Sequence, residues 1–301
     1  MQVFNEPATL AFYSQPGVMT DPGRHAPVFD DLPRDVADLA AVAQGLIIHE
    51  HIAPAYGVTL SDQDRATVHV RRVADLLERI VASDSRPLAQ AREPAARLAG
   101  NCRHFTVLMV AMLRAQGTPA RARCGFGAYF GTGTFEDHWV CEYWNKFWQR
   151  WMLVDAQIDE LQRELFPIDF DLTDVPRDRF LIAADAWLRC REGGGDPAEF
   201  GPSQLGEGGD WWIAGNLMRD AAALGNLELL PWDCWGAMPA PGAAIGEDDL
   251  MLLTGLPSIP SSLTAPSTTC SDSALRTNGS GYRPWSGMHC GTPTRRSEPA
   301  R

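Results

Sequence analysis

Lysine is almost missing from this sequence: Lys146 stands alone among 26 basic residues. No uninterrupted apolar run reaches the ~18 residues that a membrane-spanning helix needs, so no membrane partner is expected. The first 20 residues have no basic start and no apolar stretch, and Glu6, Pro7 and Pro16 break them, so they give no sign of a targeting peptide. A disulfide framework is lacking too, because the seven cysteines are odd in number and irregularly spaced. Together these absences point to a reducing cytoplasm, where a free thiol stays usable. Positive charge is also scarce. Net charge is −12, and residues 1–256 hold 21 basic against 36 acidic side chains. Such a body repels a phosphate backbone, which excludes nucleic acid as the expected partner.

What the sequence does contain is concentrated in three stretches: Gly100-Asn101-Cys102-Arg103, Glu136-Asp137-His138-Trp139-Val140 and Trp151-Met152-Leu153-Val154-Asp155. The spacing predicts a helix over 102–116. Asn101 serves as N-cap, Gly117 as the terminating glycine with Pro119 two residues beyond, and Phe105, Leu108, Met109, Met112 and Leu113 form a stripe at helical spacing. Cys102 continues that stripe at the helix start, where unpaired N–H groups and the macrodipole favour a thiolate. An inert buried cysteine would fit the same place.

The two other stretches alternate as strands. Closing a hairpin over Asn145-Lys146-Phe147-Trp148 pairs Trp144 with Gln149, Glu142 with Trp151, Val140 with Leu153 and His138 with Asp155. Opposed residues lie about 4.5–5.5 Å apart at Cβ, within reach of an imidazole–carboxylate hydrogen bond. Asp137 points to the other face and is excluded as the partner of His138. Cys102 as nucleophile, His138 as base and Asp155 as the group that orients the base make the expected catalytic set. His138 and the helix N-terminus should lower the Cys102 pKa below the ordinary value of ~8.5.

These residues resemble the transglutaminase-like superfamily, a branch of the papain-like fold, over about residues 95–160. The likeness rests on Asn101-Cys102-Arg103-His104-Phe105, on Leu113 to Arg121, on Asp137-His138-Trp139-Val140 and on Trp151 to Asp155. The flanking regions look like those of bacterial proteins carrying this core. The resemblance implies an α+β fold, a nucleophile helix packed on an antiparallel sheet of 119–126, 137–144 and 149–155, with flanking helices. It also implies acyl transfer from an amide or peptide-type carbonyl through a thioester at Cys102, with water or an amine as acceptor and no cofactor. Because the superfamily includes inactive relatives, a binding or scaffolding protein that retains the geometry is the alternative.

Around this core, residues 1–34 are broken by Pro and Gly and read as irregular, draped on the core. Residues 35–256 read as a single domain. Val36, Leu39, Ala40, Ala43, Leu46 and Ile47 form one helical stripe, and Val68, Val73, Leu76, Leu77 and Ile80 another. Arg121 to Phe130 read as a first strand, and Phe180 to Cys190 and Trp211 to Leu224 as later helices. From 257 to 301 Ser, Thr, Gly and Pro dominate, so this tail is expected to be disordered, and Cys270, His289 and Cys290 carry no site.

Competing features read as structural. Cys102, His104, Cys124, His138 and Cys141 match no paired-cysteine zinc spacing, so no metal is expected. His49 and His51 are placed in an apolar helix as surface or core-edge residues. Gly125-Phe126-Gly127 and Gly131-Thr132-Gly133 read as a flexible lip before the histidine strand. Trp187, Trp211, Trp212, Trp232 and Trp235 read as core, and Arg219, Asp220 and Asp233 as ion pairs or caps.

Overall fold

The computed structural model describes residues 6–255; the tail expected to be disordered, with Cys270, His289 and Cys290, lies outside them. The elements run α1 (Glu6–Tyr13), α2 (Val36–Leu46), β1 (Ile47–His49), α3 (Asp62–Arg65), α4 (Val73–Ser83), β2 (Leu98–Gly100), α5 (Cys102–Ala115), β3 (Ala120–Gly127), β4 (Glu136–Asn145), β5 (Arg150–Val154), α6 (Glu160–Leu165), β6 (Phe180–Ile182), α7 (Ala183–Arg191), α8 (Asp210–Leu224) and α9 (Glu247–Gly255). This is an α+β fold. Four antiparallel strands form one sheet in the order β5-β4-β3-β6, and β1 and β2 form a separate parallel pair.

Helix α5 begins and ends where its sequence directs. Asn101 is the N-cap. At the other end Gly117 is left-handed at φ +74°. The Thr118 N–H closes onto the Leu113 carbonyl and the Gly117 N–H onto that of Arg114, both at 2.9 Å, the paired bonds of a Schellman stop. The helix is not two-faced, however: every residue from Cys102 to Arg114 is buried. Its polar side chains are held by partners instead. Arg114 donates to the Ala120 carbonyl, to Thr20 Oγ1 and to Asn226 Oδ1 at 2.8, 2.9 and 2.7 Å. α5 is thus a central helix, with Phe105, Leu108, Met109 and Met112 packed on Ala122, Cys124, Trp139, Cys141, Met152 and Val154 of the sheet.

On the alternate residues of the sheet, Arg121, Arg123 and Glu142 form a buried charge cluster. Arg121 Nε and Arg123 Nη1 donate to Glu142 Oε2 at 2.6 and 3.0 Å, and Arg177 reaches Oε1. Arg121 also lies over the Trp151 ring, 4.1 Å from its centroid. Arg123 makes a two-pronged pair with Asp220 of α8, at 3.0 and 2.8 Å. Asp220 further accepts the Cys124 N–H at 2.9 Å, so α8 covers the part of the β3 edge that β6 leaves open.

Several expectations need correction. The first segment is not wholly irregular: Glu6–Tyr13 is helical and Gly23–Phe29 forms a 3-10 helix. Tyr13 is fully buried, with its hydroxyl on the Leu224 carbonyl at 3.0 Å. Ile47–His49, expected in a helix, is a strand because Leu98–Gly100 comes from far along the chain to pair with it. Phe180–Ile182 is likewise strand rather than helix start. Gly125 and Gly127 belong to β3, not to a loop. A Cβ on Gly125 would stand 2.2 Å from the Leu181 carbonyl oxygen, so glycine lets β6 approach.

Candidate active site

The structure brings Cys102, His138 and Asp155 together. Cys102 is the first residue of α5, His138 lies near the start of β4, and Asp155 follows the last residue of β5. His138 Nε2 and Asp155 Oδ2 are 2.8 Å apart. The Cys102 thiol lies near enough to the same imidazole to help raise its pKa.

The register that produces this differs from the expected one. Asn145 pairs with Arg150, Trp144 with Trp151, Glu142 with Leu153 and Cys141 with Val154, a shift of two residues. The cause is the turn. Asn145 Oδ1 accepts the N–H groups of Phe147 and Trp148 at 3.0 and 3.1 Å, and Gln149 takes a left-handed φ of 51°, so the loop is 146–149. His138 and Asp155 are therefore not directly opposed and meet on a diagonal. The shift is even, so both stay on one face.

Asp155 is fixed from three further directions. Its Oδ2 accepts the Tyr129 hydroxyl at 2.8 Å, its Oδ1 accepts the Gln157 N–H at 2.9 Å, and its own N–H donates to the Leu172 carbonyl at 2.9 Å. Burial alone would raise the Asp155 carboxyl; the His138 charge and hydrogen bond, then Gln157 and Tyr129, outweigh it and hold it below the usual range. Burial works in the same way against a charged His138. The charge and hydrogen bond of Asp155, followed by those of Cys102, overcome it and push the ring up to about 10. A carboxylate, an imidazolium and a thiol in line can separate charge as Asp⁻, His⁺ and thiolate.

These shifts set a pH dependence. A raised histidine pKa contributes stability that is complete below the ordinary 6.5 and is lost as pH rises through about 10. The depressed Asp155 contributes stability above the ordinary carboxyl value and loses it as pH falls through its own lowered pKa. The melting-temperature gap between wild type and His138→Gln should therefore be widest below about pH 6.5 and close toward pH 10. A gap that widened over that range would contradict the pairing.

The surrounding groups were not legible as site residues. Tyr129 lies just past β3, and nothing in its spacing linked it to Asp155. The Phe130 ring stands 4.9 Å from that of His138, with Tyr129 at 6.0 Å and Phe180 at 6.3 Å. As a result Cys102 is 6%, His138 2% and Asp155 1% exposed. Phe130 is itself backed by Phe166 at 5.1 Å. Among the other thiols, Cys124 and Cys141 are fully buried, and burial first of all holds both above their ordinary pKa. His104 is a structural residue: Nε2 donates to the Val70 carbonyl at 2.9 Å and Nδ1 accepts the Asn101 N–H at 3.2 Å, which fills the reciprocal role of a capping box. Burial, aided by Arg103, lowers its pKa to about 3. Among the described residues no group of three or more His, Cys, Asp or Glu side chains could hold a metal, and no helix is long and apolar enough to cross a membrane.

Residues 55–156 match the family model of the transglutaminase-like superfamily, a segment that contains all three residues and reaches back before α3. Over that segment the chain is similar to the transglutaminase-like core. No curated protein matches the chain. A solved structure from Cytophaga hutchinsonii, provisionally assigned as a cysteine protease, is 17% identical with a TM-score of 0.32, over 59% of this chain and 48% of that one. The chain spans about half the length of that protein.

Proposed function

We propose that residues 35–256 form one transglutaminase-like domain and that it is a cysteine-nucleophile acyl-transfer enzyme acting on an amide or peptide-type carbonyl. The observation that carries this reading is the 2.8 Å contact between His138 and Asp155, with the same ring under the influence of a thiol at a helix start. The Cys102 thiolate attacks the carbonyl carbon, a C–S bond forms, and the C=O electron pair moves onto oxygen. Collapse of that adduct breaks the C–N bond, and the His138 imidazolium gives its proton to the departing amine. The thioester then passes its acyl group to water or to a second amine. His138 takes the proton of the acceptor, and the C–S bond breaks. Asp155 stays ionised and holds the ring in the orientation that faces sulfur. All three residues come from this chain, and the scheme calls for no cofactor. The described cysteines are free thiols, which suits a reducing cytoplasm.

Screening amide, peptide and glutamine donors, with and without added amines, tests the reading. Turnover that disappears in Cys102→Ala supports it, and turnover that persists in that variant rejects it.

The alternative of a binding protein that merely retains the geometry draws on one observation, the closure of the site by Phe130. If the closure is a gate over a working thiol, Phe130→Ala should raise the iodoacetamide alkylation rate of Cys102 several-fold. An unreactive Cys102 in that opened variant would favour the binding protein.

A further inference from the structure

Acyl transfer through a thiolate needs two donors at the point where the carbonyl oxygen becomes an oxyanion. The Cys102 N–H supplies the first. As the first helical residue it has no acceptor within α5. The candidate for the second lies on β1. This strand runs parallel to β2, with His49 opposite Gly100, two residues before the thiol. The Glu50 N–H locks the two strand ends together by donating to the Gly100 carbonyl at 2.9 Å. Neighbouring strands of a sheet lie about 4.8 Å apart, so His49 is within a side chain's length of the start of α5.

The direction of the ring follows from the alternation of β1. Ile48 packs away from α5, with Ala53, Leu60 and Ala99. Ile47 packs toward it, in the cluster that holds Cys102 and Phe105, and its Cγ2 is 3.0 Å from the place a Cβ on Gly100 would take. His49 shares the face of Ile47. It also sits at the end of the strand nearest the nucleophile. Its ring is half-buried.

Its protonation follows from its contacts. Nδ1 accepts the His51 N–H at 3.3 Å, which places the proton of the neutral ring on Nε2. Burial first, then the charges of His51, His138 and His104, lower its pKa to about 3, with Asp155 acting the other way. The ring is therefore neutral at any working pH, and it lies within electrostatic range of His138 and Asp155. Among the described residues Nε2 meets no hydrogen-bond acceptor.

We infer that His49 is the second oxyanion donor, its neutral Nε2–H hydrogen-bonding the carbonyl oxygen as Cys102 attacks. This rests on the acyl-transfer reading of the same site. No proton leaves His49. The bond to oxygen strengthens as negative charge develops and relaxes when the C=O bond re-forms, while proton transfer to the leaving group remains with His138.

The test compares two reactions of one thiol. p-Nitrophenyl acetate acetylates a cysteine through an oxyanion, whereas iodoacetamide alkylates it without one. His49→Ala should slow acetylation of Cys102 by about 10²–10³-fold and leave its alkylation within about threefold of wild type. His49→Gln, which keeps an N–H donor, should recover part of the loss, and it carries the test if the alanine variant does not fold. If acetylation and alkylation fell together, His49 would be acting on the thiolate, and the inference would be overturned. If neither changed, it would be overturned as well. A wild-type protein that alkylates at Cys102 but is never acetylated there would instead reject the acyl-transfer reading itself, and the role of His49 would go with it.

Discussion

Asp155→Asn is expected to keep the fold and to lower kcat by about 10⁴-fold with little change in KM, because an amide can hold the imidazole in the wrong tautomer. The effect is large because Asp155 is tied in place by Tyr129, Gln157 and the Leu172 carbonyl as well as by His138. The amide of the variant keeps the shape but not the charge that supports an imidazolium. His138→Ala should cost at least as much, since it removes the group that moves the proton in both halves of the reaction. A steady-state comparison of the two variants measures this. A loss of under tenfold in either would mean that the pair does not act on the thiol.

Glu142 should give the largest effect on stability. It lies fully buried between Arg121 and Arg123, with Arg177 on its other oxygen. Burial alone would raise its carboxyl, but the three arginine charges outweigh burial and hold it far below the usual range. Replacing it with glutamine leaves Arg121 and Arg123 facing one remaining carboxylate, Asp220. Breaking a buried pair from one side costs about 3–5 kcal/mol. Urea unfolding of Glu142→Gln against wild type checks it, and a change below about 1 kcal/mol would show that the cluster relaxes into water. The carboxylate is ionised in the fold, so its contribution is present at neutral pH and is lost as pH falls through its depressed pKa.

What could be read from the chain, and what could not, follows from the range of the interactions. Helix α5 was legible because its signals are local: an asparagine cap at one end and Gly117-Thr118-Pro119 at the other. The face shared by His138 and Asp155 was legible because side chains alternate with period two, and a register error of two leaves parity intact. The register itself was not, because the Asn145 side chain and the left-handed Gln149 decide where the hairpin closes. β1 and β6 escaped for another reason. Each has three residues and pairs with a strand distant in sequence, so neither carries a periodic signal of its own. The buried polar side of α5 also gave no sign, since Arg114 and His104 look like solvent-facing residues until their partners are known. Tyr129 and His49 belong with these. Each is placed by a strand end whose position the sequence does not state.

The central claim is that Cys102, activated by His138, carries an acyl group. Rapid-quench reaction with p-nitrophenyl acetate, followed by intact mass and peptide mapping, tests it most directly. One fast equivalent of acetyl is expected on Cys102, with release of p-nitrophenolate, and it should disappear in Cys102→Ala and in His138→Ala, while the exposed Cys234 labels only slowly. A burst that survives in Cys102→Ala, or an acetyl group that maps to Cys124, Cys141 or Cys234 first, would contradict it.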